Sequence, residues 1–130
     1  MKLESYVKVY DNIMPVETIG SFIKFTTKQK FNPCGIGKEN VVDKNVRNVE
    51  AYSLVNWDCK SKTKIHWCNY FISQFKKYVQ EYTYEFAKPF GTSVEGITTL
   101  DVLKYETGGF YTPHIDNFLR SPRALSCILL

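Results

Sequence analysis

Ile65, Cys68, Ile72, Phe75, Val79, Tyr82 and Phe86 recur at alternating intervals of three and four residues, the spacing that lays side chains along one face of an α-helix. A strand, with its period of two, cannot gather these residues on one side. The chain is therefore committed to a long helix over about residues 62–86, whose apolar stripe has to be covered. Ser61 and Thr63 are its candidate caps, and Pro89 with Gly91 ends it.

A second helix is expected over about 15–29, where Val16, Ile19, Phe22 or Ile23, and Thr26 repeat at helical spacing behind Pro15. Before it, VKVYD alternates as a short strand does. After it, residues 31–40 (FNPCGIGKEN) hold Pro33, Gly35 and Gly37 and read as loop. Within 41–55 the second half, with Val49, Ala51, Ser53 and Val55 facing opposite to Glu50, Tyr52, Leu54 and Asn56, suits a strand. From residue 97 onward the character is β: ITTLDVLKY, a Gly108-Gly109 turn, FYTPHID, a loop with Pro122, then RALSCILL. Helices in front and consecutive strands behind, with no repeat or linker, give a single α+β domain over 1–130.

The composition supports a folded domain, since 44% of the 130 residues are apolar and nine Phe, nine Tyr and two Trp supply large buried areas. The net charge of +4 comes from lysines and arginines scattered among acids, with no basic run, which argues against a nucleic-acid partner. No stretch has the length of a membrane span and the start lacks a signal-peptide core, so a soluble cytoplasmic protein without membrane contact is expected. Cys34, Cys59, Cys68 and Cys127 form no CxxC pair and are expected as reduced thiols; Cys59, His66 and Cys68 match no zinc spacing. The last residues, SCILL, are an apolar run with no turn after it. The chain reads as cut, or completed by another chain, with an unpaired terminal strand open to association.

The chemistry is concentrated in LDVLKYETGGFYTPHIDNFLRSPRALSCILL. On a strand, residues two apart share a side, so His114 and Asp116 would aim an imidazole and a carboxylate at one point while Ile115 faces away. That donor pair suits divalent iron. The surrounding pattern is Tyr105, Gly108-Gly109, an aromatic at Phe110 or Tyr111, Pro113-His114-x-Asp116, then Arg123-x-Leu125-Ser126 opening an apolar strand. It resembles the prolyl 4-hydroxylase-like branch of the 2-oxoglutarate and Fe(II)-dependent oxygenases, and the lead-in VYDNIMPVETIGSFIKF is similar to the start of that fold.

The resemblance implies N-terminal helices packed on a double-stranded β-helix (jelly-roll, cupin-like), here incomplete. It makes His114 and Asp116 the first two iron ligands, with Fe(II), 2-oxoglutarate and O2 as reactants and ascorbate as a candidate accessory. Tyr105 matches a tyrosine that hydrogen-bonds the 2-oxoglutarate carboxylate; a core aromatic with a wet tip is the equal alternative. The family's second His and following basic residue have no counterpart here, because His66 falls on the long helix and Arg123 precedes the position required, as a loop cation. The expected activity is hydroxylation of a prolyl or other residue of a peptide or protein, feeble in this chain alone. A non-catalytic structural or interaction protein that keeps part of the fold is the alternative.

Overall fold

The computed structural model describes residues 2–37, 39–55, 59–86, 96–116 and 123–130. The helix end expected at Pro89 and Gly91 and the loop at Pro122 lie outside these residues. The described chain is α+β, with two α-helices and two small antiparallel sheets. It divides into two compact units, one of Met1–Gln29 with Lys60–Ile97, the other of Lys30–Cys59 with Thr98–Leu130.

The first unit is helical. Helix α1 spans Val16–Thr26 and begins on Pro15, whose carbonyl accepts the Thr18 and Ile19 N–H groups. Helix α2 spans Lys62–Phe86, as the periodicity predicts, and Ser61 caps it by accepting the Lys64 N–H at 3.3 Å.

The faces differ from the expectation. The buried positions of α2 are Trp67 and Phe71, each one residue before a stripe position, while Ile65 is exposed. On α1 the packing residues are Phe22 and Phe25: Phe22 sits 5.0 Å from the Trp67 ring and 4.6 Å edge-on to Phe71, and Phe25 lies 6.3 Å from Trp67. Val16, Ile19 and Ile23 face solvent. Aromatic rings bury more area per residue and gain from edge-on contacts, so Trp67 and Phe71 take the contact with Phe22, itself an expected position, in place of the stripe residues Cys68 and Ile72.

The N-terminal segment is not the strand that VKVYD suggests. A 3₁₀ turn at Leu3–Tyr6 leads into backbone outside any helix or strand, tied to α2 by side chains: the Tyr82 hydroxyl donates to the Tyr6 carbonyl at 2.8 Å, and the Tyr10 ring lies 4.6 Å from that of Tyr78.

In the second unit, strands β1 (Asn32–Pro33), β3 (Glu50–Ser53) and β4 (Asp101–Lys104) form one antiparallel sheet in the order β1-β3-β4. Strands β2 (Arg47–Asn48) and β5 (Phe110–Tyr111) form the other. The expected loop 31–40 thus contributes an edge strand, where Pro33 is tolerated because an edge residue need not donate outward. Val49 alone separates β2 from β3; it is buried, and its carbonyl accepts the Cys34 N–H at 3.0 Å. Among the described residues, Val49, Cys34 and Leu54 are the buried hydrophobic residues of this unit, with Gly35 buried beside Cys34.

The turn from β4 into β5 uses its two glycines differently. Gly108 has φ +81° and Gly109 N–H bonds the Glu106 carbonyl at 2.7 Å, so Gly108 takes the position of a type II turn that needs positive φ. At Gly109 a Cβ would stand 2.9 Å from the carbonyl oxygens of Asn48 and Glu106, so here the close approach of β2 excludes a side chain.

Candidate metal centre

Strand β5 pairs with β2 in the register Arg47↔Tyr111 and Asn48↔Phe110, and a last ladder bond runs from Thr112 N–H to the Val46 carbonyl at 3.0 Å. Pro113 has no N–H to continue it. His114 and Asp116 therefore lie in irregular backbone beyond the strand, not on it. Alternation along a strand is not what brings them together.

They meet all the same. His114 Nε2 is 3.1 Å from Asp116 Oδ1, with Ile115 turned to solvent at 81% exposure. The imidazole is held by its other nitrogen, Nδ1, 2.9 Å from the Thr112 carbonyl oxygen. A carbonyl only accepts, so Nδ1 carries a hydrogen, and Nε2 faces Asp116 as an N–H donor when the ring is protonated and as a lone pair when it is neutral. A lone pair and a carboxylate oxygen face each other stably only with a positive centre between them, a proton or a cation.

The spacing fits either. Protein N–H···O bonds run from about 2.7 to 3.2 Å, and two ligands at right angles on an ion with bonds of about 2.0–2.2 Å lie about 3.0 Å apart. The observed 3.1 Å falls within both. A ring whose far N–H is fixed on a backbone carbonyl is also the usual second shell of a metal-binding histidine.

Asp116 is braced from its other side. The Ser126 hydroxyl donates to Oδ2 at 2.8 Å, and Arg123 Nη1 stands 3.8 Å from Oδ1. The Ser126 hydrogen bond, with His114 and Arg123 adding to it against partial burial, holds the Asp116 carboxyl below the usual carboxylate range. Because the carboxylate lies between hydroxyl and imidazole, the order is Ser–Asp–His, with no imidazole beside the Ser126 hydroxyl, and the trio is not a Ser–His–Asp relay.

Tyr111 covers the imidazole, the ring centroids 3.6 Å apart and the planes 20° from parallel. The Arg47 guanidinium stacks on Tyr111 at 4.4 Å and donates from Nη1 to the Gly35 carbonyl at 3.2 Å. Arg47 Nε and Arg123 Nε are buried without a hydrogen-bond partner among the described residues. The sequence pattern includes Tyr111 and Ser126 without giving them a role, and it misses Thr112 and Arg47.

Other expected positions fall elsewhere. Tyr105 follows β4, half-exposed at 50%, and no hydrogen bond or ring contact joins it to His114 or Asp116. His66 is on the surface of α2 against the edge of Trp67, as its place on the helix predicts. Residues 123–130 carry no strand, so the expected terminal strand, and association through it, has no counterpart among the described residues. The four cysteines are free thiols.

No third His, Cys, Asp or Glu joins the pair among the described residues. The two donors fit one edge of a divalent ion's coordination shell and do not close it. An open cavity of about 540 Å³ in the helical unit, lined in part by Lys24, Lys28, His66 and Trp67, includes neither of them. Among the described residues no helix is long and apolar enough to cross a membrane. No family model, curated protein or solved structure matches the chain.

Proposed function

We propose that this chain carries the first two ligands of the iron centre of a 2-oxoglutarate-dependent oxygenase, acting in the cytoplasm on a prolyl or other residue of a peptide or protein. The observation that carries the reading is the convergence of His114 Nε2 and Asp116 Oδ1 to 3.1 Å with the other imidazole nitrogen committed to a carbonyl. The two small sheets are, on this reading, the beginning of a double-stranded β-helix.

When bound, Fe(II) with 2-oxoglutarate and O2 supplies hydroxylation of a C–H bond, one oxygen atom going to the substrate as the co-substrate becomes succinate and CO2. The chain's own residues do simpler work. Thr112 fixes the tautomer that leaves Nε2 free to ligate, and Ser126 keeps Asp116 ionised and turned toward it. Tyr105, whose phenol donates a hydrogen bond while neutral, is the proposed contact for a 2-oxoglutarate carboxylate. With two ligands the ion is held weakly and exchanges readily.

An anaerobic titration of 2-oxoglutarate with and without Fe(II) tests this. Binding should require the metal and disappear in His114→Ala and Asp116→Ala. Binding without metal, or unchanged in both variants, contradicts the proposal. The absence of a third ligand among the described residues favours, as a second reading, a non-catalytic interaction protein. Failure of the wild-type chain to bind 2-oxoglutarate under any condition selects that one.

A further inference from the structure

We propose that Tyr111, clamped by Arg47, is a positioning residue that holds the His114 imidazole in the plane from which Nε2 can ligate. The inference deepens the metal-site reading and rests on it for its purpose, though not for its geometry.

His114 stands on irregular backbone with its side chain 38% exposed, and the outer torsion of an imidazole is broad and roughly two-fold. Left to itself such a ring turns freely. The Thr112 carbonyl, 2.9 Å from Nδ1, fixes the direction of one ring edge but leaves the ring able to tilt about that bond. The second restraint is the face of Tyr111, 3.6 Å away and 20° from parallel, which removes the tilt.

Tyr111 is itself held in place. Strand register places Arg47 opposite it, the guanidinium lies 4.4 Å from its ring centroid, and Nη1 ties that cation to the carbonyl of buried Gly35. A run of contacts from guanidinium to phenol to imidazole thus leads from the sheet unit's interior to the ligating nitrogen. The hydroxyl of Tyr111 plays no part in it, so phenylalanine should serve as well as tyrosine.

The test uses the full chain labelled at histidine, which has only two such residues, His66 and His114. In metal-free protein the His114 ring protons should show a ring-current shift that persists in Tyr111→Phe and is lost in Tyr111→Val, where the β-branched residue keeps the strand. Mn(II) affinity should fall about 10-fold in Tyr111→Val, the lower end for loss of a residue supporting a ligand, and stay within about twofold in Tyr111→Phe. Phe110→Val disturbs the same two-stranded ladder without touching the stack and should leave both readings unchanged.

Equal losses in Phe110→Val and Tyr111→Val would reduce Tyr111 to a strand residue and overturn the proposal, as would an unshifted His114 ring in wild type. If wild type binds no Mn(II), the metal reading fails, while the metal-free spectra still decide whether the stack orients the ring.

Discussion

At His114 and Asp116, two atoms that would repel as neutral lone pair and anion are held 3.1 Å apart by partners on their far sides, Thr112 and Ser126. Ser126→Ala should raise the Asp116 pKa toward its ordinary value, observable in a carboxyl-carbon NMR titration. The sign for stability follows. A carboxylate whose folded pKa is depressed adds stability that is present above the unfolded pKa of about 3.9 and lost as pH falls through the lower folded value. Its side chain is 44% exposed, so solvent screening keeps that contribution within about 1 kcal/mol. An Asp116 midpoint unmoved by Ser126→Ala would show that the hydroxyl is not the cause. The His-x-Asp pair was legible because both donors lie in one short motif. The bond from Ser126 to Asp116 was not, because ten residues separate the two and only the folded path of the chain closes that gap. Arg47 was hidden for a similar reason, since its place over Tyr111 follows from the register of two strands far apart in sequence.

Among the elements, α2 matched its expected limits because a sustained three-four period has one structural meaning. The packing face was less legible: Phe22, Trp67 and Phe71 interlock by shape, which a count of apolar positions cannot weigh. Phe71→Ala should cost about 3–5 kcal/mol in chemical denaturation, whereas Ile65→Ala, at an exposed stripe position, should cost well under that. Similar losses would return the buried face to the aliphatic stripe. Strands β3, β4 and β5 fall where strands were expected but are shorter, because the alternation in FYTPHID continues past Pro113, where the hydrogen-bond ladder cannot, while β1 lies in an expected loop and VKVYD and residues 123–130 carry no strand. Gly109→Ala should cost about 1–3 kcal/mol by forcing β2 away from the turn. It should also broaden the His114 resonances, because the Arg47–Tyr111 pairing depends on that approach. A fully stable Gly109→Ala variant with an unchanged His114 spectrum would refute the close-packing argument.

For the molecule as a whole, an aromatic-rich helical unit and a small two-sheet unit are made from alternating parts of the chain. The α+β class followed from the order of patterns, helical in front and extended behind. Its division into two units did not, because contacts between residues 30–59 and 98–130 are non-local and carry no mark in either segment. The proposed chemistry of the protein rests on one donor pair. That pair is tested most directly by a Mn(II) titration of the intact chain, followed by electron paramagnetic resonance. One weak site is expected, whose affinity falls at least about 10-fold in His114→Ala and in Asp116→Ala and is unchanged in His66→Ala. A wild-type affinity no greater than that of the two site variants, or an equal loss in His66→Ala, would contradict it.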